Sequence, residues 1–457
     1  MKIIHKLYLP LLIVGASLVA GCEVDDTIDP NAPSVEAVQK NASRTQINQL
    51  GVGLQASARN GLSSFYRVSG AIGRELYTLN LSDLTSTSEL LGQGELSATT
   101  LFNGYYDAFS QTRRRAELFI QAATNTAANT LSDEEKAGIR GFANTIKAYA
   151  MLNTLNMQYK NGIRLYFTDL ISPGDLLNPG PFGTYEQSLD TIRATLERAF
   201  ADLQQAGASF SAFTVTRGYE GFNTPETFGK FNRGLAARTG IYQKDWQYVL
   251  TALQASFFDL SGDLKAGPVF TFSTASGDQA NPLWQQLNSN DAPVVAQNNF
   301  VEEAEEGDTR VAEKLARRNE DRLFAGLTGK YDVNIYPAQS SPVSILRNEE
   351  LILIYAEAKI HTQALADAVA ALDKIRTAAG LQAIATAKPA IVTDKEALVD
   401  ELLNQRRYSL YGEGHRWFDA RRYDRLAQLP NDLPTHHVYE QMVRPYSEYQ
   451  WDAKHPQ

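Results

Sequence analysis

Apolar residues recur every three or four positions through much of this chain, the mark of helices that bury one face. The clearest stripe runs from Thr184 to Ala206, where Tyr185, Leu189, Ile192, Leu196, Ala199 and Leu203 fall on one side. Thr184 with Gln187 predicts a capping box at its start, and Gly207 marks its stop. Ser132 with Glu135 predicts a second helix through "GIRGFANTIKAYAMLNTLNMQY". Thr393 with Glu396 predicts a third, in which Val399, Leu403, Arg406 and Leu410 share a face. "RNEELILIYAEAKI" is apolar nearly all round, which predicts a buried helix with Asn348 as its cap. "ALADAVAALDKIRTAAG" follows at once and ends on Gly380. The helices come as adjacent pairs with short connections and many alanines, which let helix axes approach closely. The expected fold is mainly α: tetratricopeptide-like paired helices with long irregular loops, without the strict tetratricopeptide consensus.

Polar stretches rich in Gly, Ser, Asn and aromatics separate the helices, chiefly residues 60–100, 207–226 and 260–345. Loops of that length in a folded protein usually carry function or hold structure of their own. Short strands are expected within Tyr331 to Val343, and no sheet is evident.

Composition narrows the function classes. At 457 residues, 43% hydrophobic and 21% charged, the chain is that of a folded protein and has length for roughly two to four domains. Its formal net charge is −9 and its basic residues are scattered, which argues against nucleic acid as a partner. One cysteine allows neither an internal disulfide nor a thiolate metal site.

That cysteine sits at an informative place. Met1 to Lys6 carries Lys2 and Lys6; Leu7 to Val19 is then apolar or small apart from Ser17. About 13 residues reach roughly 20 Å as a helix, short of the ~30 Å hydrocarbon core, which fits an export signal rather than a membrane span. Val19-Ala20-Gly21-Cys22 resembles a bacterial lipobox, which would make Cys22 the lipidated first residue of the mature chain. An acidic, proline-containing tether follows. The expected division is a signal peptide at 1–21, a lipidated cysteine and tether at 22–34, and a binding domain at 35–457. Acids directly after Cys22 also resemble the surface-export signal of Bacteroidetes-type lipoproteins.

Four blocks in order resemble the SusD/RagB family of outer-membrane nutrient-binding lipoproteins. They are "FNRGLAARTGIYQKDWQYVLTAL" at 231–253, "SPVSILRNEELILIYAEA" at 341–358, "ALDKIRTAAGL" at 371–381 and "ELLNQRRYSLYGEGHRWFDARRY" at 401–423. Gln405 departs from the family's usual glutamate, and the closing "PYSEYQWDAKHPQ" matches loosely. The resemblance implies a SusD-like helical body on the cell surface, anchored by lipid. It implies a binding role over a TonB-dependent, SusC-like β-barrel transporter, with an oligosaccharide, or in some members a peptide, as ligand.

Glu413, His415 and Asp419 invite assembly into an acid–base site. Arg406, Arg407, Arg416, Arg421 and Arg422 stand close in sequence, however, and guanidinium–carboxylate pairs brace helix ends. This block therefore reads as scaffold, with Trp417 in the core. No catalytic motif, cofactor motif or metal-ligand spacing is found; the adjacent His436 and His437 point different ways on any regular element. Sugar recognition needs a flat aromatic face beside planar hydrogen-bonding groups, exposed on loops. The candidates are Tyr66, Arg67, Arg74, Tyr77 and Asn80 in 63–80, Tyr219 beside a glycine-containing turn, and Trp284 and Asn288 in "NPLWQQLNSND". Trp284 is the strongest, because amides surround it and no helical stripe claims it. The rival readings are a tetratricopeptide-like scaffold lipoprotein facing the periplasm and a glycoside hydrolase, which needs two carboxylates about 5–10 Å apart across a cleft.

Overall fold

The computed structural model describes residues 40–166 and 179–454. The expected signal peptide, Cys22 and tether lie outside the described residues. The longer helices are α1 (Arg44–Ala58), α2 (Leu62–Ile72), α3 (Gly104–Asn125), α4 (Asp133–Gln158), α5 (Tyr185–Gln205), α6 (Pro225–Gln243), α7 (Trp246–Gln254), α8 (Asn348–His361), α9 (Leu365–Ala378), α10 (Lys395–Ser409), α11 (Arg416–Arg422) and α12 (Tyr446–Lys454). From α3 to α9 each packs on the next; α1 leans on α3, and α10 on α8 and α9. This is the paired-helix body expected from the apolar stripes. Among the described residues no helix is long and apolar enough to cross a membrane.

Local chemistry sets the ends. Thr184 accepts from the Gln187 backbone at 3.2 Å, and the Gln187 side chain accepts from the Thr184 backbone at 2.9 Å. Ser132 and Glu135 do the same at α4. Two expected caps shift. At α10 the cap is Asp394, not Thr393, because its carboxylate reaches the amides of both Glu396 and Ala397. At α8 Asn348 lies inside the helix; its side chain is drawn away to the backbone of Asp259 and Asp263.

Leu189, Ile192, Leu196, Ala199 and Leu203 of α5 are all buried. They meet α4, where Gly141 permits the approach: a Cβ there would lie 2.5 Å from Leu203. Phe142 of α4 stacks on Phe228 of α6 at 4.4 Å between ring centroids, with Phe210, Phe213 and Tyr219 edge-on around it.

The stretches read as loops hold more structure than their sequence suggests. Residues 60–100 contain α2 and β1 (Leu76–Thr78). Residues 260–345 contain β2 (Val269–Phe270), β3 (Val294–Ala296), β4 (Leu315–Phe324), β5 (Leu327–Val333) and β6 (Val343–Ser344). An antiparallel sheet forms in the order β1-β3-β5-β4, and β2 pairs with β6. The expectation of no sheet is corrected. The longest strand, "LARRNEDRLF", lacks clean alternation and shifts register between Arg317 and Arg322, and β1, β2, β3 and β6 span only two or three residues.

Candidate ligand-binding face

The loop from Thr271 to Gln285 runs alongside α2 and the end of α1. Arg59 donates to the carbonyl of Thr271 and pairs with Asp278; Arg67 donates to the carbonyl of Pro282 at 3.1 Å. Asn281 fixes the same loop to a neighbouring one, through Gln339 at 2.7 Å and Ser341 at 2.8 Å. Two expected site residues, Arg67 and Trp284, are thereby brought to one place: Trp284 is half-buried, two residues past the Arg67 contact. Burial lowers the Arg67 pKa.

Beside this loop is an open hollow of about 340 Å³, lined by Gly53, Ala56, Ser57, Arg59, Asn60, Arg115, Gly277, Asp278 and Gln279. Its size lies at the lower end of the roughly 300–1,000 Å³ typical of ligand sites. Guanidinium, amide and carboxylate groups line it, the planar partners that sugar hydroxyls use. Arg59 is held in place over the ring of Phe272, 5.3 Å from its centroid. Sequence reading missed Arg59, Asn60, Arg115, Asp278 and Gln279. The available signal was slight: "ARNG" closing one amphipathic helix, and the small-residue turn "TASGDQ".

Gln285 stitches the sheet, bonding Val294 at 2.7 Å and the Val333 carbonyl at 2.8 Å. Asn288 is exposed at φ +58°; its backbone amide donates to Asp332 at 2.6 Å and its side chain accepts from Asn319 at 2.7 Å. Asn80 is half-buried and accepts from Ser82 at 2.9 Å in a turn.

Four of the expected residues lie in the interior instead of on loops. Tyr66 is on α2 and faces inward. Arg74 is 1% exposed and donates to the carbonyls of Ala71, Leu91, Pro430 and His437, so it clamps the 430–437 segment. Tyr77 lies in β1, its hydroxyl on Asp432. Tyr219 sits in the aromatic cluster around Phe142. Their surroundings read as polar, but tertiary packing covers them.

Tyr66 borders a narrow, partly open polar cavity, together with Tyr149, Asn153, Asn156, Arg238, Tyr242, Arg347, Glu350, Glu413 and His415. It admits about 20 Å³ of water-sized volume, far too little for a sugar ring. Here the tempting carboxylates are engaged as scaffold. Arg238 forks onto Glu350 at 2.6 and 2.5 Å, Arg347 pairs with Glu413, and Asp419 takes Arg406 at 2.6 Å and Arg422 at 2.9 Å. Burial would raise the Glu350 pKa, but Arg238, then His415, bring it down to about 2. Trp417 is fully buried, as expected. His436 turns its ring to Gln93 and His437 to Tyr439.

Residues 331–457 match the model of the SusD family. A SusD-like protein of Formosa agariphila, P38, is 28% identical over 130 residues, which span 28% of this chain and 26% of the relative. Surface glycan-binding protein A from Bacteroides uniformis superposes with a TM-score of 0.69 at 14% identity, covering 90% of this chain and 98% of its own. Its namesake from Bacteroides thetaiotaomicron gives 0.66 at 13% identity, over 90% and 97%. A laminarin-binding SusD-like protein gives 0.64 at 16% identity, over 89% and 97%. At these identities the likeness is one of fold, and the whole described chain has the SusD-like fold.

Proposed function

We propose that this SusD-like chain is a surface lipoprotein that binds a nutrient saccharide and delivers it to a TonB-dependent, SusC-like β-barrel. Cys22 carries the lipid anchor in the outer membrane, and the ligand face looks outward. The observation that carries this reading is the polar hollow beside the Thr271–Gln285 loop that Arg67 anchors, set on a fold shared with proteins named for binding glycan and laminarin. Arg59, Asn60, Arg115, Asp278 and Gln279 line the hollow and supply hydroxyl partners, and Trp284, farther along the same loop and outside that lining, supplies an aromatic face. The carboxylates nearest to an acid–base arrangement are neutralised by arginines, so binding fits the chain better than hydrolysis.

The test is titration of purified mature protein against a panel of soluble glycans and peptides. Glycan binding that Trp284→Ala or Arg115→Ala weakens at least tenfold is the expected result. Binding to peptides alone moves the reading to peptide capture, and binding to neither ends it. Cys22→Ser should release the protein from the membrane, protease shaving of intact cells should remove it, and a β-barrel should copurify with it.

A further inference from the structure

Three side chains line the polar cavity beside Tyr66 with polar atoms open to a further partner: Asn153 Nδ2, which has two protons, reaches only the Tyr149 hydroxyl, and Asn156 Oδ1 and His415 Nδ1 reach none in the protein. The residues are 6%, 3% and 9% exposed. A buried polar atom left without a partner is destabilising. Buried polar groups in folded proteins find a protein partner or an ordered water.

Size and charge identify the occupant. The accessible volume of about 20 Å³ exceeds the roughly 10–15 Å³ that one water needs. An ion does not fit the charge balance. The lining holds two arginines and two glutamates, Arg238 with Glu350 and Arg347 with Glu413, each pair in direct contact. Burial keeps the His415 imidazole neutral, lowering its pKa to about 4. The occupant must therefore be neutral, small, and able to donate and accept at once, because Asn153 Nδ2 offers a proton and Asn156 Oδ1 takes one. A buried water typically makes about three hydrogen bonds, matching these three atoms.

We propose that this cavity is a structural water site, in which about one ordered molecule bridges Asn153 and Asn156 of α4 to His415 in the turn before α11. The bridge joins the helical body to the carboxyl-terminal block directly beneath Tyr66. It is independent of whatever the outer face binds.

The test is a crystal structure of the mature protein, at a resolution that shows solvent, from crystals with and without pressurised xenon. A discrete density in hydrogen-bond reach of His415 Nδ1 and both asparagine amides, undisplaced by xenon, is the expected result. Xenon in the cavity would show it to be dry. Side chains turned to pair with one another would show that nothing is held there. Either result overturns the proposal. Asn156→Leu should lose the density; if that variant does not fold, the wild-type crystals still decide.

Discussion

The helical body from α3 to α7 and the block from α8 to α11 are joined by different physics. In the first, apolar side chains interlock, Phe142 on Phe228 and Leu203 against Gly141, while the ion pairs Lys147–Glu117, Arg140–Asp202 and Arg233–Glu197 sit at the edges of the seams, each with a partly exposed partner. The second has its own apolar seam, through Ile352, Leu372, Ile375 and Leu402, but its junctions are ionic. Arg238 of α6 reaches Glu350 of α8, Arg422 reaches the fully buried Glu357, and Arg421 donates to the Asn156 carbonyl at 2.8 Å. Apolar packing fails gradually as volume is lost. A buried ion pair fails abruptly, because removing one partner strands the other charge. The arginine-rich block that looks catalytic in sequence is thus the part least able to lose a residue, for structural reasons.

The largest expected effect tests the ionic side. Glu350→Ala should destabilise the protein by about 3–5 kcal/mol in chemical denaturation, by stranding Arg238. The double variant Arg238→Met with Glu350→Leu should recover most of that. If it does not, the pair contributes more than mutual neutralisation and the contrast sharpens further. Phe142→Ala should cost a similar ~3–5 kcal/mol, with no single partner substitution that restores it. Equal rescue at both sites would erase the distinction.

Acid–base behaviour separates two buried groups. Burial raises the Glu75 carboxyl to about 8, so the folded state keeps its proton where the unfolded chain has lost it. That contribution is full below about 4.5 and is lost as pH rises towards 8, so Glu75→Gln should stabilise by roughly 2–4 kcal/mol at pH 8 and by almost nothing near pH 4. His415 has the opposite sign. Its neutral form supports the fold above about 6.5, and that support is lost as pH falls towards 4. Denaturation midpoints of wild type, Glu75→Gln and His415→Gln across this range check both signs.

Smaller effects probe the helical side. Gly141→Val should cost about 1–3 kcal/mol by forcing α4 from Leu203, and Ser132→Ala about 1 kcal/mol by removing a cap. Thermal melts on each variant measure both.

The helical body was legible because its information is local. Thr184 with Gln187 and Ser132 with Glu135 cap where they stand, and the α5 stripe faces inward whatever lies beyond it. The SusD-like blocks were legible for the same reason, as short runs in a fixed order. The outer face was read in part: Trp284 and Arg67 stand out as residues, but the hold of Arg67 on the loop just before Trp284 is a hydrogen bond to Pro282 across the fold.

By itself the sequence determined the helices and their pairing, since each depends on neighbours within a few turns; it marked the carboxyl block as scaffold, but Glu350, Glu413 and Glu357 take arginines 112, 66 and 65 residues away. Tertiary structure alone decided the sheet, the burial of Tyr66, Arg74, Tyr77 and Tyr219, and the hollow that joins Arg59 and Arg115 to Asp278. Those features arise where segments distant along the chain meet, and no local periodicity records which of their faces will be covered.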